Sequence, residues 1–237
     1  MKMSVKKIAA IILVMILSSS ASGSDVEVWQ DPSVDFGKLK KIFVMPAEID
    51  LRAGTQLAPV KKVRADIFTW TVDGIHSAFG RRSSLTVKNV DAVIEDMKFI
   101  HGDNVSVNDP LFFKRAAEMG YTAFIRTELT QEFMTEHVPE TERTYTVYRE
   151  IEKRDSRGRV IETLRIPEEK TEIIPAHDVE YLYTVCMPKI YSTNDADGDY
   201  IGAVNYRIYR EYQGGPVMKV VENITKASMK CLFTGKN

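Results

Sequence analysis

The chain has 237 residues, 44% of them hydrophobic and 27% charged, with 32 Lys and Arg against 33 Asp and Glu. These proportions are ordinary for a globular protein, and a formal net charge of −1 provides no positive field that would attract nucleic acid. The length suits one large domain or two small ones. Because the sequence has no internal repeat and no low-complexity tract, we predict a single domain after an N-terminal leader.

The N-terminus has the composition of an export signal. Three lysines lie around the start of an apolar run of ten residues, Ile8–Leu17, which is too short to span a bilayer about 30 Å thick. Small residues follow, and Ala21 and Gly23 suit positions −3 and −1 of a signal peptidase site. We therefore predict a signal peptide over 1–23 and an exported chain, periplasmic or extracellular, over 24–237. No later stretch is apolar enough for membrane insertion.

The first half of the mature chain has alternating strand and helix patterns. Residues 24–37 have little periodicity and are interpreted as an ordered arm or a loose leader. Pro59 suits the first turn of a helix, and apolar residues then recur at helical spacing as far as Phe79. The predicted order is β-α-β-α-α-β, with strands at 38–46, 84–88 and 121–129 and helices at 59–79, 91–99 and 108–119.

The middle of the chain predicts a long charged β-hairpin. Asp155–Gly158 is a turn signal, with glycine where a positive φ is usually required. The flanking strands, Tyr145–Lys153 and Val160–Ile166, carry many charges, so we expect this hairpin to be exposed on both faces or to extend past the core. Phe133–Thr144 is predicted to be a loop, and Pro167–Pro175 a linker.

The last third predicts a second hairpin covered by a helix. Val179–Tyr191 is rich in aromatic and β-branched residues, and Ala203–Tyr212 alternates apolar and polar side chains, as half-buried strands do. After Gly214 the apolar period becomes helical. The predicted fold class is α+β, with a single mixed or antiparallel sheet and helices packed mainly on one face.

The two cysteines lie on this hairpin and its helix. In an oxidising compartment Cys186 and Cys231 would form a disulfide, worth about 4 kcal/mol for so long a loop, or would remain two buried free thiols. Tyr181, Tyr183, Val185 and Met187 are predicted to form the buried face of the first strand. That face would point Cys186 away from the helix, so both alternatives stay open.

The loop between these strands is the densest group of carboxylates. Asp195, Asp197 and Asp199 offer hard oxygen ligands of the kind that calcium binds. The EF-hand pattern fails, however, because Gly198 follows the second aspartate and Tyr206 occupies the position of the bidentate glutamate. A solvated hairpin loop is the favoured interpretation, and calcium binding is the alternative.

No chemical motif is recognisable elsewhere. The four histidines lack ligand spacing, and the sequence has no paired-cysteine zinc pattern, nucleophile elbow, phosphate-binding loop or dinucleotide fingerprint. We therefore predict no cofactor and no catalytic residue. Tyrosines cluster in the last third beside arginines, two residue types that are enriched in binding hot spots. Arg207 and Tyr209, on the polar face of the last strand, are the predicted protein-contact residues.

The pattern resembles small periplasmic α/β domains of bacterial envelope lipoproteins of uncharacterised function. Asp35-Phe36 followed by the strand Lys38–Pro46 and a long helix carries the resemblance, as do the strand at Gly120–Ile125 and the final strand and helix ending at Lys226–Phe233. The resemblance implies a non-enzymatic envelope role through protein contacts. The lipid-bearing cysteine of such lipoproteins is absent here.

These observations favour a non-catalytic cell-envelope or secreted module for binding or assembly. An envelope protein would be its partner, bound by the sheet face or the charged hairpin. Two alternatives stay open. One is an envelope hydrolase whose catalytic groups meet only in the fold, which a deep pocket lined by His177 and two carboxylates would support. The other is a calcium-binding structural protein.

Overall fold

The computed structural model describes residues 23–52, 60–79 and 85–236, so all of the predicted signal peptide except Gly23 lies outside the described residues. Four helices and nine strands follow one another in these parts of the chain. They are β1 (Gly23–Gln30), β2 (Lys41–Val44), β3 (Glu48–Leu51), α1 (Val60–Phe79), β4 (Thr86–Asn89), α2 (Val90–His101), α3 (Phe112–Glu118), β5 (Ala123–Val138), β6 (Thr141–Arg154), β7 (Val160–Ile174), β8 (His177–Ser192), β9 (Gly202–Glu211) and α4 (Val217–Thr234).

Seven strands form one mixed sheet in the order β1-β9-β8-β5-β2-β4, and β3 pairs with the outer part of β5. At one end β2 lies parallel to both β4 and β5, whereas β5, β8, β9 and β1 are antiparallel to one another. The predicted α+β class with a mixed sheet is confirmed. The β-α-β-α-α-β order of the first half is confirmed too, with β3 added between the first of these strands and α1.

Helices cover both faces of the parallel end. Ile42 and Val44 of β2 pack towards α1 and α4, and the intervening Phe43 packs towards α2 and α3. All three residues are buried, as expected for a strand covered on both sides. At the antiparallel end, helix from the described residues lies on one face, where α4 packs against Leu182, Cys186 and their neighbours.

The first described strand belongs to the sheet. β1 pairs with β9 along its full length, from Gly23 opposite Tyr209 to Gln30 opposite Gly202. The Gln30 side chain then donates a 2.6 Å hydrogen bond to the carbonyl oxygen of Leu232 near the end of α4. Of the two interpretations of residues 24–37, the ordered arm is therefore the one that the structure has.

The central hairpin is longer than the sequence predicted. β5 pairs with β8 as far as Val138 opposite His177, and the same register continues from Thr141 opposite Ile174 into β6 and β7. Much of the predicted loop at Phe133–Thr144 and of the predicted linker at Pro167–Pro175 is therefore strand. Both interpretations were wrong because these stretches extend beyond the core, so no buried face gives them the apolar alternation of an ordinary strand.

Candidate functional site: a β-arm with an apolar stripe

Residues 141–174, here called the β-arm, form a two-stranded sheet that is separate from the seven-stranded one. The turn at its tip has the predicted geometry, because Gly158 has a φ of +78° and its N–H donates to the carbonyl oxygen of Asp155 at 2.9 Å. Fourteen residues of β6 at about 3.3 Å each extend for roughly 46 Å. Nearly every residue of the β-arm is exposed, so the predicted exposure on both faces is confirmed.

Prolines mark the root of the β-arm. Pro139 and Pro175 lie in the two short breaks between β5 and β6 and between β7 and β8. Proline has no N–H to donate to a ladder. The register of strand pairing therefore continues from the body into the β-arm, whereas the pairing itself is interrupted for two residues in each strand at the base.

One face of the β-arm carries a continuous row of apolar side chains. In an antiparallel pair, residues directly opposite each other share a face, and so do residues two apart along one strand. Ile151 lies opposite Leu164. Ile166 lies opposite Arg149, whose neighbours on the same face of β6 are Val147 and Ile151. We call this row the apolar stripe; it consists of Tyr145, Val147, Ile151, Leu164 and Ile166.

The apolar stripe is substantially solvent-exposed. Ile151, Leu164 and Ile166 are 41%, 43% and 45% exposed, although residues of these types are usually buried. Among the residues that the structure describes, β6 and β7 pair only with each other, so each also presents one unpaired edge of backbone N–H and C=O groups. A face and two edges of this kind are typical of a surface that another chain covers.

Charges of both signs surround the apolar stripe. The β-arm has eight Lys and Arg and eight Asp and Glu, which is a formal charge of zero. Several charges pair across the two strands, such as Arg165 Nε with Glu150 Oε1 at 2.8 Å and Lys153 Nζ with Glu162 Oε2 at 3.7 Å. These ion pairs are exposed, so each contributes little to stability.

Arg207 and Tyr209 lie on the face of the antiparallel sheet opposite α4. The Arg207 guanidinium lies 3.8 Å from carboxylate oxygens of both Asp25 and Glu27 on β1. The Tyr209 ring stacks on Tyr181 with 4.6 Å between centroids. Both side chains thus join neighbouring strands, and their contact with another protein stays a prediction.

The residues proposed for metal binding and acid–base chemistry are not brought together. Among the residues with described coordinates, no group of three His, Cys, Asp or Glu side chains could hold a metal ion, and the loop with Asp195, Asp197 and Asp199 is no exception. His177 is exposed, with Nδ1 3.0 Å from the carbonyl oxygen of Pro175. Asp178 pairs instead with His137 across the ladder at 2.8 Å, and both of these side chains are about two-thirds exposed.

Cys186 and Cys231 form no disulfide; both are buried free thiols. The predicted orientation of β8 was wrong, because Cys186 is fully buried under α4, where the Ser228 hydroxyl donates to its sulfur at 3.2 Å. Burial raises the pKa of the Cys186 thiol to about 11, although the Ser228 hydrogen bond lowers it. Burial also raises the pKa of Cys231. Low reactivity follows for both thiols.

We expect neither thiol to react with a disulfide reagent in the native chain at pH 8. A pKa raised from 9.0 to about 11 reduces the thiolate fraction of Cys186 about a hundredfold, and burial blocks access. Colorimetric thiol titration should find two thiols per chain in guanidinium without reductant. The variant Cys231→Ser should then report Cys186 alone. Fewer than two thiols after denaturation would contradict the structure.

None of the helices within the described ranges is long and apolar enough to cross a membrane. No protein-family model matches the chain, and no curated protein matches it. Two solved structures of PelC from Paraburkholderia phytofirmans, both dodecamers, are distantly similar, each 7% identical in sequence. One, a point variant, has a TM-score of 0.40 and covers 89% of this chain and 99% of that chain; the other has a TM-score of 0.38 and covers 90% and 96%. Likenesses this distant establish neither the fold nor the function of this chain.

Proposed function

We propose that the protein is an exported, non-catalytic assembly module of the cell envelope, in which the β-arm of one chain packs on the β-arm of a second copy. The observation that carries the proposal is the exposed apolar stripe on a two-stranded sheet. A two-stranded hairpin is marginally stable in water by itself, because it has little apolar surface to bury. A partner that covers the apolar stripe would supply this burial.

Charge favours a second copy as that partner. A β-arm with eight basic and eight acidic residues has no net field that would select a strongly charged protein. Its alternating signs instead allow one copy to place carboxylates beside the guanidinium and ammonium groups of another. Two identical surfaces of this kind are self-complementary, which is the requirement for a twofold-symmetric interface.

Export is supported by the lysine-rich, apolar and small-residue segments of residues 1–23, which together have the order of a cleavable signal. The proposal therefore applies to the mature chain that begins at Ser24. Intact mass of the chain purified after expression from the full sequence should correspond to residues 24–237. A retained leader would contradict export by this route.

The assembly is tested by changing the apolar stripe. Ile151→Thr with Leu164→Thr places β-branched residues, which suit strands, at both positions but removes apolar contact area. We expect sedimentation velocity of the mature chain at protein concentrations of about 1–100 μM to show reversible self-association, which corresponds to a dissociation constant in the micromolar range. The double variant should weaken the association at least about tenfold, because each lost methylene costs about 0.8 kcal/mol.

A matched control lies on the opposite face of the same β-arm. Ile161 and Ile173 are 62% and 59% exposed, more than the residues of the apolar stripe, and the double variant Ile161→Thr with Ile173→Thr should leave the association unchanged. Equal effects of the two variants would show that the apolar stripe is not the interface. A wild-type chain that stays monomeric at the highest concentration would exclude a second copy as the occupant.

A further inference from the structure

A second feature of the fold, independent of the β-arm, is a cavity at the carboxyl ends of the parallel strands. Its volume is about 750 Å³, within the usual range for small-molecule sites. The end of β2 at Val44, the start of α2 at Val90 and the inward side of α1 at Ile67 form its walls. More of the lining surface is apolar than polar, and Met45, Pro46, Ala47 and Phe68 contribute to its apolar part.

The topology explains why a cavity opens there. β2 lies between β4 and β5, and the chain passes from β2 through α1 to one side and returns through α2 and α3 to the other. Because α1 and α2 lie on opposite faces of the sheet, they diverge beyond the carboxyl end of β2. Ligands of open α/β sheets bind in crevices of this kind.

Two buried hydroxyl groups line the cavity without a partner. Thr71 on α1 is fully buried and Thr127 on β5 is 2% exposed, and neither Oγ1 has a hydrogen-bond partner in the described part of the chain. A buried hydroxyl that makes no hydrogen bond costs about 1–3 kcal/mol. The two threonines come from elements 56 positions apart in sequence, yet they meet at the wall of one cavity.

The walls of the cavity also carry groups that act on a charged head group. Arg64 lies on the exposed side of α1, and no ion pair is formed by it with the described residues. The first turn of α2 begins at the opposite wall; its Ala92 N–H already donates to Asn89 Oδ1 at 2.8 Å, and the helix macrodipole there favours negative charge. Asp91 also lines the cavity, and because Asp91 and Arg64 are both exposed, solvent screens the repulsion of an anion by the one and its attraction by the other.

We propose that this cavity binds a small amphiphile with an apolar body and a single carboxylate head. The apolar body occupies the space beside Ile67 and Phe68. The hydroxyls of Thr71 and Thr127 donate hydrogen bonds to the head, which Arg64 also attracts. The binding is non-covalent and changes no bond in the ligand.

The head group is tested with three ligands that share one chain length: decanoate, decanol and decyltrimethylammonium, used below their micelle concentrations with the mature full-length chain. Isothermal titration calorimetry should detect binding of decanoate, weaker binding of decanol by about tenfold, since a charged hydrogen bond is lost, and no binding of the cation. Equal binding of all three would overturn the assigned head group. If none of the three ligands bound, the proposed site would be overturned.

The site is tested with Thr71→Val, which removes one hydroxyl at nearly constant volume. We expect the melting temperature of the free protein to rise by about 2–4 °C, because an unpaired buried polar group is removed. Decanoate affinity should fall about tenfold in the same variant. Ala65→Trp, at an exposed lining position, should abolish binding without lowering the melting temperature.

The control is Thr225→Val on α4, a fully buried threonine that does not line the cavity. It should leave decanoate affinity unchanged. A loss of affinity in this control equal to that in Thr71→Val, or unaltered affinity in both cavity variants, would refute the site.

Discussion

Replacing Phe43 by alanine is expected to lower the free energy of unfolding by about 3–5 kcal/mol. Phe43 is fully buried at the centre of an aromatic cluster, with ring centroids 5.5–5.8 Å from those of Phe112, Tyr121 and Phe124. Alanine would remove these contacts and leave a cavity between β2 and the helices α2 and α3. Urea unfolding followed by circular dichroism measures the change.

The control for this variant is Phe99→Ala on α2. Phe99 is 95% exposed, so its loss should change the free energy of unfolding by less than about 0.5 kcal/mol. The comparison holds residue type and substitution constant and varies only burial. A similar cost at both positions would mean that α2 does not pack with the orientation that the structure has.

Gly74→Ala should destabilise the protein although it improves helix propensity. A methyl group at residue 74 would lie 2.7 Å from the carbonyl oxygen of Lys226 and 2.7 Å from Cβ of Met229, so α1 and α4 would have to separate. Such overpacking costs about 1–3 kcal/mol, more for a contact as short as this with backbone, and the gain of roughly 1 kcal/mol from alanine in a helix offsets only part of it. We expect a fall in the melting temperature of several degrees by differential scanning calorimetry.

The contrast is Ser77→Ala, at an exposed position of the same helix. That change should leave the melting temperature level or slightly raised, since alanine has the higher helix propensity. If Gly74→Ala also stabilised the protein, the close contact between α1 and α4 would not exist in solution.

The sequence predicts those elements in which burial gives the apolar residues a recognisable pattern. The helix predicted over 59–79 is observed as Val60–Phe79, because Val63, Ile67 and Ile75 repeat at helical spacing and all face the core. The short strand β2 was also predicted, since its apolar residues are buried on both faces. In both cases the buried positions can be recognised from the pattern of apolar residues in the sequence.

Strands that extend outside the core, or that carry large side chains on both faces, were predicted less well. β7 contains Pro167 and several glutamates and extends well past Ile166, where the sequence suggested that it ended. The orientation of β8 was wrong for a different reason, because both of its faces are rich in large side chains. The face under α4 is set by small residues on that helix, such as Ser228, which allow close approach to Cys186.

Neither candidate site was identifiable as a motif. The apolar stripe needs the register of β6 with β7 before Ile151 and Leu164 can be seen as neighbours. The available signal for the apolar stripe was the alternation of apolar residues within each of the two strands. Thr71 and Thr127 line the same cavity only because the crossover between the parallel strands brings α1 and β5 together. Since the two residues are far apart along the chain, the sequence alone does not show that they are close.

The unbroken register through the root of the β-arm makes its length adjustable in discrete steps. Removing two residues from each of β6 and β7 would shorten the projection by about 7 Å and leave Ile151 and Leu164 on the side that they now occupy. Removing one residue from each would rotate the remaining tip by half a turn and turn the apolar row to the reverse side. Natural insertions and deletions in the β-arm should therefore add or remove an even number of residues in each strand, because only even numbers keep the apolar stripe on its present face.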